Sequence, residues 1–283
     1  MIFDRHTIRR HKNRAACRFK DHSFLTDWTI KEMEDRLCSI KRAFPAALQI
    51  GADAQNSRMK INGNTFLVQM DLAENLLPAR NALQADEEFL PFAESSLDLI
   101  FSPLSLHNVN DLPGTLVQIR KALKPDGLFL GAFFGGDTLH ELRSALSEAE
   151  LQIKGGLSPR VSPFADKRQM GDLMQRAGFA LPVVDSEKLS VSYARPLDLM
   201  KELRGMGESC AMSARPKHFT RRNLLDAAND IYVRKFSEKD GRIPASFEIL
   251  FLTGWAPHES QQKPLPRGSA QHSLAEALNT EKP

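Results

Sequence analysis

Short apolar runs alternate with amphipathic segments along most of this chain, and this alternation restricts the fold more than any other feature. The apolar runs span residues 46–50, 66–70, 97–106 and 128–134. The third is apolar almost throughout, as expected for a strand that is covered on both faces. Between the third and fourth runs, Leu116, Ile119 and Ala122 recur at helical spacing. Strands that alternate with helices predict an α/β fold with a doubly wound, mostly parallel sheet.

The remaining elements complete this plan. Further helices are expected at 138–152 and 166–177, with Asp111 capping the helix before the fourth strand and Gly178 at the end of the last of these helices. Residues 125–127 read Pro-Asp-Gly and predict a turn. Alternation at 189–193 and 246–255 predicts two late strands, the second antiparallel.

Five segments follow from this pattern. They are an N-terminal helical segment (1–44), an α/β core (45–194), a helical insertion before the last strand (195–244), the last core strand (245–256) and a flexible tail (257–283).

Charge and cysteine content exclude several classes of protein. With 38 basic and 35 acidic side chains, the chain lacks the charge of a general nucleic-acid binder. Basic residues at positions 9–20 are interpreted as a solvated first helix rather than a targeting peptide. No apolar run reaches the roughly 18 residues of a membrane span. Cys17, Cys38 and Cys210 fit no metal spacing, so we expect no metal site and reduced thiols in a cytoplasmic protein.

Polar residues follow the predicted strands where a parallel sheet binds ligands. The first strand ends at Gly51 and is followed by Asp53, and the second ends at Asp71 and Leu72. A carboxylate at the second position can accept hydrogen bonds from both ribose hydroxyls. The cofactor-binding candidates are completed by Asp86, which could accept from the adenine amine, by the adjacent Glu87, and by Ser102.

The order of these features resembles the class I S-adenosylmethionine (SAM) methyltransferases over residues 40–135. Longer motifs resemble one subgroup, the methyltransferase-like complex I assembly factor 5 and its bacterial relatives. These motifs include residues 2–5, 85–92, 105–107, 135–139, 205–209 and 254–260. The resemblance implies a Rossmann-like fold, SAM as cofactor and a complex I subunit as protein partner. It also implies arginine hydroxylation, which is described for the mitochondrial member. The enzyme that methylates malonyl carrier protein is similar in the cofactor half only.

The cofactor loop departs from that family. The family pattern is acidic-apolar-Gly-x-Gly-x-Gly, whereas residues 49–55 read Gln-Ile-Gly-Ala-Asp-Ala-Gln, so only Gly51 remains. Asp53 would face the methionine carboxylate, at a cost of about 4 kcal/mol for charges about 4 Å apart at an effective dielectric of about 20. We therefore expect weak SAM binding on an intact fold.

Three residues are candidates for catalysis. His107 follows a buried strand and could act as a general base, or as an iron ligand in a hydroxylase; its alternative is a packing histidine. Asp137 lies after the fourth strand, where it or Thr138 could simply cap the next helix. Arg143 is on that helix, where an exposed charged side chain usually contributes little to stability.

Three functions remain open from the sequence. The first is a SAM-dependent methyltransferase-like protein, or a hydroxylase on that fold, that acts on a protein in complex I assembly. The second is a non-catalytic assembly factor. The third is a carrier-protein or small-molecule O-methyltransferase.

Overall fold

One mixed sheet forms the centre of the molecule. The computed structural model describes residues 1–52, 59–262, 268–269 and 273. Within these residues the sheet has seven strands in the order β3-β2-β1-β4-β5-β7-β6. The first five are mutually parallel, and β7 is antiparallel to both β5 and β6, which confirms the predicted doubly wound sheet. The strands are β1 (Ala46–Ile50), β2 (Phe66–Asp71), β3 (Ala82–Gln84), β4 (Leu97–Pro103), β5 (Leu123–Phe134), β6 (Ala180–Tyr193) and β7 (Ile243–Trp255).

Helices cover both faces of this sheet. The N-terminal part is helical, as predicted, with a 3-10 segment at Ala16–His22, and two helices lie between β6 and β7 where the insertion was expected. The helices are α1 (Arg5–Ala15), α2 (Phe24–Cys38), α3 (Leu112–Ala122), α4 (His140–Lys154), α5 (Lys167–Arg176), α6 (Pro196–Gly205) and α7 (Arg222–Phe236). No helix among the described residues is long and apolar enough to cross a membrane.

The sheet separates two apolar cores. One core joins it to α2, α4, α6 and α7, and the other joins it to α3 and α5. Every residue of β4 is buried, because this central strand is covered on both faces. The strand is shorter than the predicted 97–106, since the chain leaves the sheet at Leu104 with a φ of +49°. The strand predicted at 189–193 is longer and starts at Ala180.

The Pro-Asp-Gly segment turns the chain inside a strand rather than between elements. Pairing of β4 with β5 jumps from Leu97↔Leu123 to Leu99↔Leu128, so the intervening residues of β5 bulge out. Asp126 takes a φ of +63° there. The turn chemistry was predicted correctly, but the ladder resumes on both sides of it.

Two predicted caps are confirmed and one is wrong. Asp111 accepts a hydrogen bond from the Gly114 amide at 2.9 Å, and Gly178 follows α5 with a φ of +83°. Helix α4, however, has no side-chain cap and is preceded by Leu139 with a φ of +55°. Thr138 instead donates its hydroxyl to the Glu248 carbonyl oxygen at 3.0 Å, so the side chain is used to tie the turn to β7.

The predicted flexible tail at 257–283 lies mostly outside the described residues, as does Asp53.

Candidate functional site

Asp71 is fixed at the carboxyl end of β2, at the edge where the sequence predicts a ribose. Its carboxylate is buried and accepts hydrogen bonds from the amides of Ala52 at 3.2 Å and Ala73 at 2.7 Å. Gly51, at the end of β1, has a φ of +92°, and a Cβ there would lie 2.7 Å from the Cβ of Ser105. Glycine is therefore required at this position by the close approach of the chain after β4.

Helix α1 inserts a cation into this edge. The Nζ of Lys12 donates to Asp71 at 3.0 Å and to the Ser105 hydroxyl at 3.2 Å, and lies 3.5 Å from Glu87. Interpretation of the basic segment as a solvated helix is thus wrong for Lys12, which is buried. The helix is held in this position by its N-cap Asp4, which accepts from Thr7 and pairs with Arg215 at 3.2 Å.

A second cation from α1 covers the predicted adenine position. Arg5 donates to Asp86 at 2.6 Å and forms a very short contact with Glu87. Its Nε lies 3.7 Å from Glu88. We call Asp71, Asp86 and Glu87, together with Lys12 and Arg5, the carboxylate cluster.

Opposing electrostatic effects act within the carboxylate cluster. Burial raises the pKa of Asp71, and the charge of Glu87 adds to this effect against that of Lys12. Burial also disfavours ionised Glu87, but Lys12 and Arg5 outweigh it and hold the pKa of Glu87 below its ordinary value. Burial disfavours the charge of Lys12 as well, yet the two carboxylates raise the pKa of Lys12. The charged ammonium group of Lys12 therefore forms ion pairs with both Asp71 and Glu87.

Lys12 competes with the nucleoside of SAM for the carboxylate cluster. Asp71 has the position and the chemistry to bind a ribose, but Lys12 and Ala52 already use its Oδ2 and Ala73 its Oδ1. The cavity that remains between Lys12 and Gly51 is about 50 Å³, far below the roughly 300–1,000 Å³ of small-molecule sites.

The other cofactor candidates lie at the margins of this edge. Leu72 is half-buried and packs in the small cluster of Phe3 and Ile8. Ser102 is fully buried within β4, and its hydroxyl has no partner among the described residues.

His107 belongs to a neighbouring site that the sequence did not predict. Its Nε2 lies 3.0 Å from the Oε2 of Glu208. Its ring packs edge-on against the ring of Phe134, with the two ring centroids 4.7 Å apart. Asn108 donates to the same Oε2 at 3.3 Å. Although burial opposes ionisation, His107 and Lys12 keep the pKa of Glu208 below its ordinary value. A charged carboxylate is therefore held here.

Glu208 borders a larger cavity of about 210 Å³, which we call the insertion cavity. It lies between β5 and α4 on one side and the two insertion helices on the other. Its walls are mainly apolar, and the polar residues that line it are Thr138, Arg160, Ser162, Glu208, Ser209, Cys210 and Thr220. The apolar lining comprises Phe134, Leu139, Leu142, Leu146, Val161, Phe164, Met200, Leu203, Leu225 and Phe247.

The structure does not bring Asp137 or Arg143 to His107. Asp137 is exposed and pairs with Lys188 on β6. Arg143 donates to the carbonyl oxygens of Thr138 at 3.2 Å and Ser162 at 3.4 Å. The contacts of both residues hold chain segments in place. No group of three or more His, Cys, Asp or Glu is arranged to hold a metal within the described part of the chain.

Comparisons with known proteins agree with this architecture. Residues 50–131 match the model of a methyltransferase domain. The YcgJ protein from Bacillus subtilis superposes with a TM-score of 0.54 at 15% identity, over 82% of this chain and 99% of that one, which shows the shared fold.

Curated relatives match over nearly the full length. Arginine-hydroxylase NDUFAF5, mitochondrial, from Danio rerio is 40% identical over 97% of this chain and 89% of its own, and the Homo sapiens protein is 42% identical over 97% and 83%. The malonyl-[acyl-carrier protein] O-methyltransferase of Halorhodospira halophila (strain DSM 244 / SL1) is 31% identical over 89% and 88%. The expectation that this enzyme is similar in the cofactor half only is therefore wrong. On the sheet order, the methyltransferase domain and this coverage, the chain belongs to the family of the arginine-hydroxylase NDUFAF5 proteins, which are built on the class I methyltransferase fold.

Proposed function

We propose that this protein modifies an arginine side chain of a protein partner, the chemistry named for its NDUFAF5 relatives. The observation that carries the proposal is the half-buried carboxylate of Glu208 at the insertion cavity. His107 and Asn108 both contact its Oε2, and no described residue bonds to its Oε1. A planar guanidinium matches a carboxylate well, and apolar walls suit the methylene groups of an arginine.

A complex I subunit is the proposed partner, since the family resemblance of the sequence implies one. Cytoplasmic location stays a prediction of the sequence, and the relatives quoted above carry the word mitochondrial in their names.

Methyl transfer is the second candidate, favoured by the convergence of Gly51, Asp71 and Asp86 at one edge of the sheet. SAM would bind there through Asp71 once Lys12 has moved away. When bound, it would supply a methyl group beside the Glu208 site, which borders the same small cavity as Gly51 and Asp71. The O-methyltransferase relative supports this alternative.

Mass spectrometry of complex I subunits tests both candidates. Cells of the source organism that lack this protein are complemented with the wild type, with Glu208→Gln or with Glu94→Gln, a control in an exposed pair with Lys121. We expect one arginine to gain an oxygen atom with the wild type and the control but not with Glu208→Gln. Dioxygen and a two-electron reductant, both supplied by the cell, would balance this step, with the second oxygen atom leaving as water. Gain of a methyl group would favour the second candidate. A pattern of subunit modifications, on arginine and on other residues, that is identical with and without the protein would refute both.

A further inference from the structure

A basic loop with a fully exposed aromatic side chain borders the insertion cavity. Residues 212–221, which we call the rim loop, form the second part of the connection between α6 and α7, after Glu208. They contain Arg215, Lys217 and Arg221 but no acidic residue. Phe219, in the same loop, is 99% exposed. Large apolar side chains at this exposure are common in surfaces that bind other proteins.

The rim loop is anchored at the mouth of the cavity. Thr220 lines the cavity, and its hydroxyl accepts a hydrogen bond from Arg160 at 2.9 Å. Arg160 is held in turn by Glu150 at 2.9 Å. Because adjacent Cα atoms are about 3.8 Å apart across a trans peptide, Phe219 stands directly beside the cavity wall.

Positive charge on the rim loop is only partly neutralised. Arg215 pairs with Asp4 at 3.2 Å, and Arg222, the first residue of α7, lies 3.8 Å from Asp226. Lys217 and Arg221 are exposed and have no acidic partner among the described residues. Since the whole chain is close to neutral, with a net charge of +3, this positive surface is a local feature.

We infer that the rim loop docks an acidic segment of the protein partner, next to the side chain that enters the insertion cavity. This inference rests on the proposed function and adds the chemistry of the segment that flanks the modified residue. Lys217 and Arg221 attract its carboxylates, and Phe219 packs against one of its apolar side chains. Charges at such a rim accelerate association and select the partner.

Fluorescence anisotropy with two labelled peptides tests the inference. Both carry one central arginine, flanked by aspartate and leucine in one peptide and by serine and leucine in the other. We expect the aspartate peptide to bind roughly tenfold more tightly at low ionic strength, and the difference to shrink with added salt. Lys217→Glu combined with Arg221→Glu removes the difference, and Phe219→Ala weakens both peptides about fivefold.

Matched variants make the test specific. Lys167→Glu combined with Arg168→Glu reverses two exposed charges on α5, which packs on the other face of the sheet, and keeps the preference for aspartate. Circular dichroism confirms that each variant is folded.

Three results would overturn the inference. Equal binding of the two peptides, with both weakened by Glu208→Gln, would overturn docking but leave arginine binding intact. Binding of neither peptide would overturn the proposed function together with the docking. Displacement of the aspartate peptide by an equimolar oligonucleotide would show a general polyanion surface instead.

Discussion

Replacing Lys12 with methionine removes one buried charge and keeps most of the side-chain volume. In the wild type, its Nζ lies 3.0 Å from Asp71 and 3.5 Å from Glu87, and both carboxylates are only 1% exposed. Loss of one partner of a buried ion pair costs about 3–5 kcal/mol. Asp71 keeps two backbone donors and Glu87 keeps Arg5, so we expect the free energy of unfolding to fall by about 3 kcal/mol, the lower end of that range.

The stability that Lys12→Met loses should decrease as the pH is lowered. Without Lys12, burial and the charge of Glu87 raise the folded-state pKa of Asp71 further above its unfolded value. A carboxyl with a raised pKa binds more protons in the folded state, so acidification stabilises the variant relative to the wild type. The difference in unfolding free energy should therefore be largest near about pH 7 and shrink towards about pH 5.

Urea denaturation followed by tryptophan fluorescence and circular dichroism measures this difference at each pH. Lys31→Met is the matched control, because Lys31 is exposed on α2, and it should change the free energy of unfolding by less than about 0.5 kcal/mol. Calorimetry with SAM and S-adenosylhomocysteine gives an independent readout. Lys12→Met should bind both about tenfold more tightly, because it no longer occupies Asp71.

Two results would refute this reasoning. Unchanged stability at about pH 7 would show that Lys12 is not paired inside the carboxylate cluster. Weaker binding of SAM by Lys12→Met would show that Lys12 contacts the cofactor rather than competing with it.

Two further variants test how the site is built. Gly51→Ala should lower the free energy of unfolding by roughly 1–3 kcal/mol because of its positive φ and the contact with Ser105. Adding Ser105→Gly should recover only the part of this loss that comes from the contact. Additive losses in the double variant would contradict this explanation. Hydrogen bonds from Ser158, Lys154 and Arg160 lower the pKa of Glu150 to about 2 against the effect of burial. Wild-type stability should therefore fall as pH drops from about 4.5 to about 2, and this slope should flatten in Glu150→Gln; equal slopes would contradict it.

Local patterns in the sequence were enough to predict the sheet. Apolar runs of strand length identified β1, β2, β4 and β5, since a strand covered on both faces must be apolar along its length. Asp71 and Asp86 also proved to lie at one edge, because the carboxyl ends of parallel strands meet there. The prediction that Asp137 or Thr138 caps α4 was wrong. Leu139, which has a positive φ, directly precedes this helix, and no side chain caps it.

Contacts between distant segments could not be predicted in this way. Lys12 stands in a run of basic residues and looks solvated, because its partner Asp71 is 59 positions away in sequence. Glu208 meets His107 across 101 positions. Neither pairing leaves a periodic signal, since the position of each charge depends on the docking of a whole helix.

The docking of α1 also sets an order of events during synthesis. Lys12 and Arg5 leave the ribosome early, but their partners at positions 71–88 follow only after some sixty to eighty further residues. Until β2 and the segment before β4 have been made, α1 lacks its carboxylate partners, and Phe3, just before it, lacks Ala211 until the chain beyond α6 follows. Contacts of such sequence separation form late and slow folding. Helix α1 is thus expected to be the last part of this domain to pack in place, although it is made before the sheet on which it docks.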